Sequence, residues 1–99
     1  MDELELALQN GFDNFAVEVS VDGKVVLRRQ GVKTRYQVGL AETCTLNLEA
    51  GTHDVLVNLV DHDVQTCISI DPDDTPYLGL NYDKGQLVFT PSATPFHYL

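Results

Sequence analysis

The sequence predicts an all-β domain, an antiparallel β-sandwich or barrel. Three observations predict it. Apolar residues alternate with polar ones over short stretches along the whole chain. Gly, Asn, Asp and Pro interrupt those stretches roughly every 8–12 residues. No stretch carries the i, i+3, i+4 apolar spacing of an amphipathic helix.

The 99 residues suffice for one domain, expected over residues 1–91 with an aromatic tail at 92–99. The first strand is expected at Leu4, Leu6 and Leu8, which alternate with Glu3, Glu5 and Ala7 before Asn10-Gly11 breaks the chain. The second runs through Phe15, Val17, Val19 and Val21. Asp22-Gly23 then signals a hairpin into Val25-Val-Leu27. A two-residue turn would set Val17 opposite Arg28. A three-residue loop with a bulge at Gly23 sets Val19 opposite Val25 and Val17 opposite Leu27, and is preferred because it keeps apolar beside apolar.

Tyr36, Val38 and Leu40 predict a further strand. The stretch Leu46–Leu59 holds two apolar runs about Glu49-Ala-Gly-Thr52 and is expected to be the central hairpin. Its register would be Leu48 opposite His53, Leu46 opposite Val55 and Cys44 opposite Val57, with Leu59 on the same face. Val64, Thr66, Ile68 and Ile70 form the next strand, and Asp71–Pro76 a loop. Leu78, Leu80 and Tyr82, then Leu87-Val-Phe89, make the last two, with Pro91 ending the final strand. The count is about eight to nine short strands.

Composition excludes several functions. Fifteen acids against six bases leave a net charge of −9, which argues against a nucleic-acid binder and against an anionic membrane surface. No apolar run reaches the roughly 18 residues of a membrane helix. The acidic start Met1-Asp-Glu is unlike a secretory signal, so a cytoplasmic protein is expected. Cys44 and Cys67 are read as two buried, reduced thiols. A zinc site from Cys44, Cys67, His53 and His62 lacks the short ligand spacing such sites use. No nucleophile elbow, phosphate loop or H-E-x-x-H is present, and no cofactor or catalytic residue is expected.

Three places could meet a ligand or partner. Arg28, Arg29, Lys33 and Arg35 place four of the six bases within eight residues, suited to an acidic surface or to the chain's own carboxylates. Phe96, Tyr98 and Leu99 form an aromatic end that either folds back or docks on a partner. Asp71, Asp73 and Asp74 are oxygen ligands of the kind calcium takes. If every strand crosses the domain once, they share an end with Asp13. Asp61 and Asp63 lie a strand length away, about 20 Å, at the end of Asp22, Glu42 and Asp83.

The segment Val17–Leu27, together with Ala50-Gly-Thr-His53 before Val55-Leu-Val57, resembles small bacterial immunoglobulin-like sandwiches, including PEGA-type modules. The whole arrangement also looks like uncharacterised small bacterial proteins. This resemblance implies an immunoglobulin-like fold and carries no catalytic residue with it. The function expected is a non-catalytic protein-interaction module, with self-association into a homodimer allowed through an edge strand. The alternatives are a calcium- or carbohydrate-binding sandwich, or an acidic mimic of nucleic acid.

Overall fold

The structure is a computed structural model and describes residues 2–35 and 37–96. Eight strands form: β1 (Asp2–Leu8), β2 (Asp13–Val21), β3 (Lys24–Lys33), β4 (Glu42–Leu48), β5 (His53–Leu59), β6 (Val64–Ile70), β7 (Tyr77–Asp83) and β8 (Gln86–Ser92). They make two four-stranded sheets, ordered β4-β1-β7-β8 and β3-β2-β5-β6. The β1–β7 pair is parallel and every other pair is antiparallel. This order departs from the ABED/CFG arrangement of immunoglobulin constant domains.

The sheets face each other across one core. Leu4, Leu6, Leu8, Leu78 and Leu80 line it from one sheet, and Val17, Val19, Val55, Val57 and Leu59 from the other; all are 2% exposed or less. The period-two pattern thus buries one face of each strand and leaves Glu3, Glu5, Asp54 and Gln65 outside.

Four expectations are corrected, the last being the place of Pro91. The first concerns Leu46–Leu59, which is not a hairpin. β4 pairs with β1, while β5 pairs with β2 and β6 in the opposite sheet. Leu46 and Leu48 do face the core with Val55, Val57 and Leu59, and Cys44 is half-buried. Two runs that meet across the roughly 10 Å gap between sheets need the same alternation as two runs in one ladder. The pattern therefore set the faces correctly and left the pairing open. Glu49–Thr52 carries the chain between sheets.

The second concerns the strand at Tyr36–Leu40. Among the described residues, this segment is a turn closed by the Arg35–Leu40 bridge, with the Arg35 carbonyl accepting from the Val38 and Gly39 amides. Its loss reverses the direction of every later strand relative to the expectation. Asp71, Asp73 and Asp74 consequently lie at the end of Asp22 and His53, whereas Asp13 lies at the other end, near Asp61.

The third concerns the β2–β3 register. Asp22 and Gly23 both have positive φ, 51° and 83°, so the turn has two residues of the type that matches strand twist. Val21 pairs with Lys24, and a bulge at Val26 then moves Val19 opposite Leu27. The bulge gives Val19 an apolar partner, Leu27, but leaves Val17 opposite Arg29 and Val25 opposite Ser20, so the expected Val19–Val25 and Val17–Leu27 pairs do not form. At the opposite edge, Pro91 lies inside β8 rather than ending it, and its missing N–H is tolerated because β8 has only one neighbour.

Candidate interaction surface

β3 is the longest strand and an edge: only β2 pairs with it. Its outer backbone groups are a template for another strand. Val32 is buried in the core, while Val25 and Val26 beside the bulge are exposed. The four bases of this region separate into two pairs with different neighbours. Arg28 Nε lies 3.0 Å from Glu18 Oε2 on β2, and Arg29 Nε lies 2.8 Å from Glu42 Oε1 on β4. The second contact ties the two sheets along their open side. Lys33 and Arg35 are exposed, and among the described residues neither has an ion-pair partner.

Lys33 and Arg35 border an open groove of about 810 Å³ between the end of β3 and the segment leading into β4. Val32 and Ala41 contribute apolar surface to it, Gln37 an amide and Glu42 its one carboxylate. The groove wall is fixed by Thr34, which is 2% exposed. Its hydroxyl accepts from the Phe12 amide at 3.0 Å and donates to the Gln9 carbonyl at 2.7 Å, while its own amide donates to the Phe12 carbonyl. The Arg35 and Ala41 amides donate to the Leu40 and Leu8 carbonyls. The cationic side chains therefore project from a backbone held at several points.

A histidine–carboxylate pair occupies the far end. Asp22 Oδ2 lies 2.6 Å from His53 Nδ1, the Glu49 carbonyl lies 2.7 Å from Nε2, and Asp22 Oδ1 accepts from the Asp54 amide at 2.9 Å. Both partners of the ring only accept, so the arrangement is complete when both nitrogens carry a proton. The hydrogen bond to Asp22, then that to the Glu49 backbone, raises the His53 pKa above its usual 6.5. The same bond, then the one from Asp54, lowers the Asp22 carboxyl below its usual 3.8. The sequence pattern set His53 opposite Leu48 and did not reveal Asp22 as its partner. The Asp-Gly turn and the Gly-x-His turn were both legible, but only the β2–β5 pairing joins them.

The acidic residues do not converge as expected. Asp71 closes its own loop: Oδ1 accepts from the Asp73 amide, and its carbonyl accepts from Asp74 and Thr75. Asp13 lies at the other end of the sandwich, so Asp13, Asp71, Asp73 and Asp74 make no single site. Among the described residues no group of three or more His, Cys, Asp or Glu side chains is placed to hold a metal ion.

Cys44 and Cys67 are free, on opposite sheets, and Cys67 is exposed rather than buried because it alternates with the inward Val64, Ile68 and Ile70. Burial, then the nearby Glu42, pushes the Cys44 thiol pKa up. In the tail, Pro95 lines a groove of about 570 Å³ with Glu3, Glu5, Thr45, Pro76 and Tyr77, and Phe96 is half-buried. Tyr98 and Leu99 lie outside the described residues. No helix among the described residues is long and apolar enough to cross a membrane.

Comparison with protein-family models, with characterised proteins and with solved structures finds no match.

Proposed function

We propose that this chain is a non-catalytic interaction module that engages a partner protein along the free edge of β3 and the groove beside it. One observation carries the reading: a ten-residue edge strand ends at exposed Lys33, with exposed Arg35 two residues beyond, and among the described residues neither cation has an ion-pair partner, on a chain of net charge −9. Edge strands invite strand addition, and a second copy of the chain is one partner this allows. His53 supports a non-catalytic role, because both of its ring nitrogens already face acceptors. The cytoplasm, where its two thiols stay reduced, is the compartment this reading assigns.

We also place the sandwich in the immunoglobulin-like class. The Val17–Leu27 hairpin and the Gly51–Val57 segment support this, as does the adjacency of β2 and β5 at the centre of one sheet. The calcium reading has no comparable support, since its four aspartates are divided between the two ends.

The test compares the wild-type chain with Val25→Lys/Val26→Glu, a change confined to exposed edge positions. Light scattering and affinity capture should show an assembly or a captured protein that the variant loses. Equal assembly and capture by both proteins would refute docking at β3.

A further inference from the structure

We propose that the groove beside β3 receives an extended acidic segment of a partner protein, in which two carboxylates two residues apart meet Lys33 and Arg35. This rests on the reading of β3 as the docking edge and names the partner's chemistry.

Four observations lead to it. Lys33 and Arg35 are separated by the inward Thr34, so they lie on one face, about 7 Å apart along an extended backbone. The Arg35 amide and carbonyl are taken by its own turn, so a segment in the groove meets Arg35 through the side chain alone; an extended segment has the same repeat, and its residues i and i+2 present their side chains at matching spacing. The groove's one carboxylate, Glu42, is engaged by Arg29, and Arg28 is engaged by Glu18. Among the described residues neither cation at the groove has an ion-pair partner, and its acid is already compensated. Half-buried Ala41 gives the groove apolar surface suited to an aliphatic residue between the two acids, while Val32 is almost wholly buried beneath it.

Charge elsewhere sharpens the choice. The chain is acidic overall, so an acidic segment is repelled except where cations cluster. At physiological salt the screening length is about 8 Å, comparable to the spacing of the two cations. Asp13 stands across the ladder from Lys33 and is the one near acid besides Glu42; the two cations outweigh it and the more distant acids locally, and binding weakens as salt rises.

The acids could also come from a second copy. Glu3 and Glu5 share the i, i+2 spacing and project from the outer face of β1. A separate partner is favoured because joining two chains of net charge −9 adds their repulsion to the contact.

The test uses the whole chain and three labelled peptides that differ only at two positions around a valine: Glu-Val-Glu, Gln-Val-Gln and Lys-Val-Lys. Binding is read by fluorescence anisotropy at low and physiological salt and mapped by amide chemical shifts. The Glu peptide should bind, shifting amides within residues 31–42, and the Gln peptide should bind at least roughly tenfold more weakly. Lys33→Gln/Arg35→Gln should lose the same factor, and Lys33→Glu/Arg35→Glu should select the Lys peptide. Both positions are exposed, and urea unfolding checks that the variants fold.

Equal binding of the Glu and Gln peptides at β3 overturns the acidic assignment and leaves docking at this edge standing. Shifts confined to other strands, or no binding by any peptide at millimolar concentration, overturn the proposal. An oligomer in light scattering that both Lys33→Gln/Arg35→Gln and Glu3→Gln/Glu5→Gln dissolve assigns the groove to a second copy, and overturns the separate partner.

Discussion

Thr34→Val removes one hydroxyl and keeps the side-chain shape, which isolates the bonds holding the groove wall. The Phe12 amide is buried and donates to Thr34 Oγ1. Valine leaves that donor facing a methyl group, at a cost of about 1–3 kcal/mol. Losing the bond to the Gln9 carbonyl costs about 0.5–1.5 kcal/mol more. The expected total is about 3 kcal/mol, equivalent to about 12–24 °C in melting temperature for a domain this size.

Thr34→Ser is the opposing control. It keeps the hydroxyl and removes one buried methyl group, costing about 1 kcal/mol. Urea unfolding should show a lower midpoint with unchanged slope for both variants, and a much larger drop for valine. A valine variant that loses less than about 1 kcal/mol, or less than the serine variant, would refute hydrogen bonding as what holds this wall.

Stability should also depend on pH through His53 and Asp22. The raised His53 pKa makes its contribution complete below about 6.5 and lost as pH rises through the folded value; the lowered Asp22 pKa makes its contribution complete above about 3.8 and lost as pH falls through the folded value. The pair is fully formed between those limits, and His53→Gln should flatten the alkaline side of a melting-temperature profile; an unchanged profile would discount the contact.

Gly11→Ala should cost about 2–5 kcal/mol, since φ is +89° and an added Cβ would sit 1.9 Å from the Tyr82 carbonyl oxygen. A loss under about 1 kcal/mol in urea would mean the loop yields easily. Thiol labelling followed by peptide mass mapping should modify Cys67 first and Cys44 slowly; the reverse order would contradict their burial.

The faces of most strands were legible from alternation, which reports burial directly, but Val25, expected inward, and Cys67, expected buried, are exposed. Leu4, Leu6 and Leu8 and Val55, Val57 and Leu59 all turn inward as their pattern implies. Tyr36–Leu40 misled because a short alternating run with a glycine also satisfies a turn, and here Gly39 takes φ +70°. The basic patch was legible as a cluster. Its division into engaged Arg28 and Arg29 and, among the described residues, ion-pair-free Lys33 and Arg35 was not, because Glu18 and Glu42 reach it from other strands.

The sequence by itself determined the all-β class, most of the inward and outward residues, and the place of the Asp22-Gly23 turn though not its two-residue form. These depend on neighbours a few residues apart. Only the tertiary structure decided which strands are partners. Leu46 and Leu48 satisfy their pattern equally well across a sheet gap or within a ladder, since both bury the same face. That choice places Asp22 on His53, separates Asp13 from Asp71, and leaves β3 as the open edge.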